Sequence, residues 1–403
     1  KEQTNIDCNF ETVTMYGVCD DCKIEKRIRV STIDLSIEGA EKDGYDSFLA
    51  KEIFEQPNAV KSTISPLIKD KKIVLPFDFP DDFIEKLNKI YMVACGSAYH
   101  VGMTAKYLIE DMAKIPVLVD IASEFRYRNP VIHKNDLCIF ISQSGETADT
   151  LASLRKAKEK GAFTLSIVNV PYSTISRESD AVIYTNAGVE MAVATTKALS
   201  SQLAVIYIFS AYLAKMKNLL SDNELIDFVT KIQALPEKIE KTLECNNVIK
   251  ELAKSISTKE HIFFIGRGID YPICLEGALK LKEISYIHCE GYGAGELKHG
   301  TISLIEEGTI VIALVTDKML YEKMISNIKE VKSRGAFVIA IANENIRDIE
   351  KIADKVIYVP DTIKSLSPSV SVIPLQLLAY HTTKEKGLDV DKPRNLAKSV
   401  TVE

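Results

Sequence analysis

Three stretches of this 403-residue chain carry side chains whose types and spacing could do chemistry. The first is Ser142-Gln143-Ser144-Gly145-Glu146-Thr147, set between an apolar run over 137–141 and a helical pattern that ends at Gly161. A strand, a small polar loop and a helix N-terminus in that order gather free backbone N–H groups, the positive end of a helix dipole and hydroxyls. Such a loop either cradles a phosphate or merely caps its helix through Ser144 and Thr147. No Gly-Lys-Ser/Thr ending follows and the dinucleotide glycine fingerprint is absent, so neither nucleotide motif applies. The second stretch is Leu275-Glu276-Gly277-Ala278-Leu279-Lys280-Leu281-Lys282-Glu283-Ile284. Lys280 and Glu283 are three apart and share a helix face, with Glu276 four before Lys280. On an exposed face that is an ion pair worth a few tenths of a kcal/mol. Among apolar neighbours it is a carboxylate of tuned pKa, as moving a proton between adjacent sugar carbons requires.

The third is the glycine-rich Gly293-Ala294-Gly295-Glu296-Leu297-Lys298-His299-Gly300. His299 is either a solvated loop residue or an imidazole able to approach a substrate near its own titration range. The end of the chain, 391–403, has little helical periodicity and no core face, and fraying is the default there. Lys398 matters only if this tail folds over a pocket, where a desolvated amine can form a Schiff base with a carbonyl.

The elements that must position these groups follow from periodicity. From Lys89 onward strands at 90–94, 117–121, 137–141, 163–168 and 181–184 alternate with helices, which implies a parallel sheet covered on both faces. The pattern recurs after about 172 residues: strands at 261–265, 309–315, 337–342 and 356–359 repeat the order, and Ala294-Gly295-Glu296-Leu297 answers Ala122-Ser123-Glu124-Phe125. The expected fold class is α/β, two tandem doubly wound parallel-sheet domains plus a C-terminal tail. The expected divisions are 1–45, poor in core-forming residues; 46–220, the first domain; 221–387, the second; and 388–403, the tail. One helix is expected over 47–62. The second copy has Val315-Thr316-Asp317 where the first has its serine loop, so an anion site belongs to the first half, at the carboxyl ends of the strands.

Composition narrows the function classes. Net charge is −6 with no basic block, which argues against nucleic acid as the main partner. The longest uncharged run, between Lys197 and Lys215, holds Ser200, Ser201, Gln202 and Ser210 and reads as a buried core helix, not a membrane span. No signal-peptide pattern opens the chain. The eight cysteines are scattered; Cys95, Cys138 and Cys274 fit buried reduced thiols, and Cys19-Asp20-Asp21-Cys22 is half of a zinc spacing without its other half. No metal or cofactor is expected, and the setting reads as cytoplasmic.

Taken together, the serine loop, Glu276-Gly277-Ala278-Leu279-Lys280-Leu281-Lys282-Glu283-Ile284-Ser285-Tyr286, Gly295-Glu296-Leu297-Lys298-His299-Gly300 and the ending Leu396-Ala397-Lys398-Ser399-Val400-Thr401-Val402-Glu403 resemble the isomerase half of the glutamine–fructose-6-phosphate amidotransferases, the glucosamine-6-phosphate synthases. The likeness runs from about Tyr45 to Glu403, and Lys51-Glu52-Ile53-Phe54-Glu55-Gln56-Pro57 resembles that family's linker. The resemblance implies two sugar isomerase (SIS) domains that bind fructose 6-phosphate and release glucosamine 6-phosphate. It implies a phosphate held by Ser142, Gln143, Ser144 and Thr147 with help from Ser97, and a sugar site lined by Val193, Thr195 and Ala397. Lys398 would form the Schiff base, Glu283 would carry the proton between C1 and C2 beside Lys280, and His299, from the neighbouring subunit of a homodimer, would assist ring opening.

Three departures stand out. Ala98 replaces a usual serine, Thr195 replaces a usual serine, and the family's glutaminase domain, the ammonia source, is missing, 1–45 resembling its last strands and the linker. A chain that starts at Lys1 is accordingly expected to be a fragment or a processed form. The competing readings are a ketoamine-phosphate deglycase or phosphosugar isomerase without a glutaminase, and a non-catalytic sugar-phosphate sensor. A sensor needs the serine loop but not Glu283, His299 and Lys398 together.

Overall fold

The computed structural model describes residues 41–402 and the backbone of the strands Asn5–Asn9, Thr12–Cys19 and Cys22–Arg29. Those three strands form an antiparallel meander in chain order, with Cys19 opposite Cys22 at its second turn. The Cys19 and Cys22 thiols, and with them the half zinc spacing, lie outside the described residues. Residues 1–41 make one compact unit and 42–403 a second.

The second unit holds the expected duplication. Each half carries a five-stranded, all-parallel sheet. Numbered along the chain within each sheet, Lys89–Ala94, Val117–Ile121, Asp136–Ser142, Phe163–Val168 and Ala181–Tyr184 stand in the spatial order 5-4-3-1-2, and His261–Gly266, His288–Gly293, Ile310–Val315, Phe337–Asn343 and Lys355–Val359 in the order 2-1-3-4-5, the same order read from opposite edges. The central strands Asp136–Ser142 and Ile310–Val315 are buried at every residue, the signature of a sheet covered on both faces. Their side chains alternate in step. Leu137, Ile139, Ile141, Ile310, Ile312 and Leu314 point into one core shared by both halves. Cys138 and Phe140 join a separate cluster behind the first sheet, and Val311, Ala313 and Val315 one behind the second.

Helices from both halves fill the shared core. Lys197–Met216 is long and apolar enough by composition to cross a membrane, but 83% of its apolar window is buried inside the fold. Leu203, Ile206, Tyr207 and Phe209 are fully enclosed, each contributing roughly 1.5–3 kcal/mol of burial. Some of its polar groups are paired, Ser200 donating to Gln56 Oε1 at 2.6 Å and the Tyr207 and Ser369 hydroxyls meeting at 2.9 Å, whereas Ser201 Oγ and Gln202 Oε1 are buried without a hydrogen-bond partner among the described residues.

Two expectations change. The helix over 47–62 is two helices, Phe48–Phe54 and Gln56–Leu67, joined at Glu55. Pro57 lacks the N–H that would bond back into the preceding turn, and its ring disfavours continuation through Gln56. The second sheet also gains an edge strand, His288–Gly293, that its composition hides. Its sequence, His-Cys-Glu-Gly-Tyr-Gly, has poor strand propensity, but pairing with His261–Gly266 overrides it. Gly291 is needed there, because a Cβ would sit 3.0 Å from the Leu275 Cα of the helix above.

Candidate active site

The serine loop follows strand Asp136–Ser142 at its carboxyl end and leads into the helix Ala148–Glu159. Gly145 turns the chain with φ +67°, and any Cβ there would fall 2.0 Å from Ser173 Oγ, so only glycine fits. Ser142 Oγ accepts from the Gly145 N–H at 3.0 Å and lies 3.1 Å from Thr147 Oγ1, while Ser144 Oγ accepts from the Glu146 N–H at 3.2 Å. Thr147 occupies the N-cap position without a side-chain cap bond. The hydroxyls therefore shape the loop and do not cap the helix. Gln143 gives its carbonyl to the Asn169 N–H.

What meets the helix N-terminus is the chain's own tail. The Ala148 N–H donates to the Val400 carbonyl at 3.1 Å, and the Ser399 and Ser144 hydroxyls lie 3.0 Å apart. Fraying is thus not what the tail does. Asp391 accepts from the Phe48 and Leu49 N–H groups at 3.0 and 2.8 Å, and its carbonyl accepts from Val193 N–H. The Arg394 N–H donates to the Tyr286 hydroxyl at 2.8 Å while its guanidinium lies 4.2 Å from that ring.

These anchors bring Lys398 to Glu190. Lys398 Nζ sits 2.5 Å from Glu190 Oε2, with the lysine side chain 24% exposed and the carboxylate fully buried. Glu190 also accepts from Thr195 Oγ1 at 2.5 Å and from the Thr196 and Ala198 N–H groups at 2.9 and 3.1 Å, at the start of the Lys197–Met216 helix. Burial pushes this carboxyl up, but the Lys398 charge and these hydrogen bonds outweigh it, so Glu190 is held below the usual range. Glu52 lies against the same place, accepting from the Met191 and Ala192 N–H groups. Burial, then the Glu190 charge, raises it to about 8.

Glu52 makes stability depend on pH in a definite sense. Its folded-state pKa of about 8 exceeds the ordinary 4.5, so between these values the unfolded chain ionises while the folded chain keeps its proton. Stability falls as pH rises through that window. Glu52→Gln keeps an acceptor for the two N–H groups and removes the titration. Its thermal midpoint should gain on wild type between pH 5 and 8, by a difference on the order of a few kcal/mol at the upper end. Parallel curves would contradict this.

The second cluster lies on helix Asp270–Ser285. Lys280, almost fully buried, pairs with Glu283 at 2.5 Å and with Glu276 at 3.6 Å. Burial alone would lower the Lys280 pKa, but the charges of Glu283 and Glu276 raise it above its ordinary value. Glu276 crosses between the halves: Ser97 donates to it at 2.8 Å and His100 Nδ1 lies 2.7 Å away. Burial raises that carboxyl, and Lys280 and His100 more than offset it. Ser97 thus spends its hydroxyl on Glu276. Among the described residues no hydrogen bond or ion pair joins the Glu190–Lys398 pair to the Lys280–Glu283 pair, but the Glu190 charge reaches Lys280 and adds to its upward shift. His299 is exposed in a 3₁₀ turn, Glu296–His299, without a bond to either, and Ala397 is exposed on the tail.

Glu190, Glu52 and His100 escaped the sequence reading. The signal was a lone acid in an otherwise small and apolar run, Asn186-Ala187-Gly188-Val189-Glu190-Met191-Ala192-Val193-Ala194, because an unpaired acid is rarely buried. Cys138 and Cys274 are buried free thiols as expected, whereas Cys95 is only half-buried, and the described residues hold no cluster suited to a metal.

A model of the SIS domain matches residues 83–211 and 255–384. The chain is 53% identical over 369 residues to a glutamine–fructose-6-phosphate aminotransferase (isomerizing) of Caldanaerobacter subterraneus subsp. tengcongensis, across 91% of this chain and 61% of that protein. It is 52% identical over 401 residues to the Clostridium tetani protein of the same name, across 98% and 66%. The chain therefore spans 61–66% of the length of these curated relatives. Among solved structures, the C-terminal domain of glucosamine-fructose-6-phosphate aminotransferase from Francisella tularensis matches with a TM-score of 0.84 at 44% identity, over 88% of this chain and 100% of that one.

Proposed function

Because the chain belongs to the SIS domain family, in the branch that includes the C-terminal domain of those aminotransferases, we propose that it converts fructose 6-phosphate and ammonia to glucosamine 6-phosphate. The observation that carries this is the docked tail, which sets the Lys398 amine beside a buried carboxylate while its neighbours Ser399 and Val400 touch the serine loop. In this reading an amine, an anion loop and a sugar site share one place.

In this reading the phosphate takes the loop of Ser142, Gln143, Ser144 and Thr147, displacing the Val400 carbonyl from the Ala148 N–H. Ser97 borders the phosphate, and Val193, Thr195 and Ala397 line the sugar. Lys398 as an ammonium is unreactive. Glu190, at 2.5 Å, holds the Lys398 amine in place; once the ammonium has given its proton to solvent, the neutral amine attacks C2 of the open-chain ketose with loss of water. Ammonia displaces the lysine, and Glu283 removes a proton from C1 and delivers it to C2, with Lys280 stabilising the carboxylate before the first transfer and after the second. His299 assists ring opening from the partner of a homodimer; its exposure, with no hydrogen bond or ion pair among the described residues, supports that reading. A separate glutaminase domain supplies ammonia, and a cytosolic setting fits the free thiols among the described residues. A sensor has no use for Glu283, His299 and Lys398 together, and the identity of 52–53% to the curated aminotransferases favours this reading over a deglycase or phosphosugar isomerase without a glutaminase.

Borohydride added to the chain with fructose 6-phosphate tests the reading. Mass spectrometry should find a reduced phosphohexitol adduct on Lys398; an adduct only elsewhere, or none, would contradict it. Ser144→Ala with Thr147→Ala should raise KM for fructose 6-phosphate by about 5- to 150-fold, since about 1–3 kcal/mol of anion binding is lost, and an unchanged KM would remove the loop from phosphate binding.

A further inference from the structure

The second half has a cavity of about 450 Å³ at the place where the first half has its serine loop. It lies at the carboxyl ends of the strands Ile310–Val315, Phe337–Asn343 and Lys355–Val359, where ligands of parallel sheets bind. Its volume suits a small metabolite. The hydroxyl loop of the first copy is replaced here by ammonium groups. Lys318 follows the third strand and Lys364 the fifth, while Lys231 and Lys238 come from the helices Asp222–Gln233 and Leu235–Leu243 that join the halves. Four lysines face two carboxylates. Asp317 pairs with Lys364 at 3.0 Å, and Asp361 with Lys318 at 3.3 Å. Lys238 is bound to the Asp361 carbonyl, and among the described residues Lys231 pairs with Asp227 on its own helix. With Asp227 counted, four ammonium groups stand against three carboxylates, and the remaining positive charge in a concave site favours an anion.

We propose that this cavity is a second anion site, which binds a phosphate-bearing metabolite of sugar size independently of the Lys398 site. Lysine recognises a phosphate as a point charge, without the fixed geometry of a serine loop. Duplication thus left both strand-end crevices suited to phosphate by different chemistry: hydroxyls and helix amides in the first, ammonium groups in the second.

Equilibrium dialysis of the chain with radiolabelled fructose 6-phosphate at low ionic strength, with inorganic phosphate as competitor, tests this. Two equivalents per chain are expected, the one in the second half weakening steeply with salt. Lys231→Ala with Lys238→Ala, which orphans neither cavity carboxylate, should weaken that equivalent at least about tenfold and leave the other and the turnover unchanged. Lys318→Ala should act in the same direction. Ser144→Ala with Thr147→Ala should spare it. A single equivalent in the wild type, or a second one indifferent to both lysine variants, would overturn the proposal. Two equivalents bound without any formation of glucosamine 6-phosphate would count against the proposed function and leave this site standing.

Discussion

Glu283→Gln is expected to lower kcat for conversion of fructose 6-phosphate by about 10²- to 10⁴-fold, the usual worth of a positioned general base, with KM nearly unchanged. Glutamine preserves the shape and can still accept a hydrogen bond from Lys280, but cannot take a proton from C1. Lys280 keeps its second partner, Glu276, at 3.6 Å, so the helix should hold its place. The loop that would bind phosphate and the tail that carries Lys398 lie on other elements and are untouched. Steady-state kinetics with ammonium, supported by thermal melts, checks this. Isomerisation retained within a few-fold would remove Glu283 from the proton transfer.

Lys398→Met is expected to abolish turnover to a similar degree and, unlike the first variant, to disturb the structure. Glu190 is fully buried and Lys398 is its cationic partner. Removing that partner leaves an uncompensated buried carboxylate, at a cost of about 3–5 kcal/mol unless it takes up a proton. The tail should then let go of the loop, seen as faster hydrogen exchange at the Ala148 amide, which donates to Val400. Lys398→Arg separates the two roles. Its guanidinium can satisfy Glu190 and restore exchange protection, but cannot form the Schiff base, so turnover should stay absent. Turnover in the arginine variant would rule out covalent catalysis by this residue.

The architecture was legible because a parallel α/β sheet writes itself as apolar runs. The strands ending at Ser142 and Val315 could hardly be anything else, and their repeat at a nearly constant offset exposed the duplication. His288–Gly293 was not legible, because an edge strand held by its neighbour and packed through Gly291 needs no strand-forming composition. The Lys280–Glu283 pair was visible as helix spacing; its burial depends on the first half packing over it through Ser97 and His100, which spacing does not report. The tail was the least readable. Its order comes from single long-range bonds, Asp391 to the 48–54 helix, Arg394 to Tyr286 and Lys398 to Glu190, and none leaves a periodic trace.

The most direct measurement is a ¹H NMR time course of the chain with fructose 6-phosphate, with and without ammonium. With ammonium, glucosamine 6-phosphate should accumulate; without it, slow interconversion with glucose 6-phosphate should appear, since ring opening and proton transfer need no amide. A fructose 6-phosphate spectrum unchanged under both conditions, from protein that is folded by thermal melt, would contradict the assignment of this site as a ketose-phosphate isomerase.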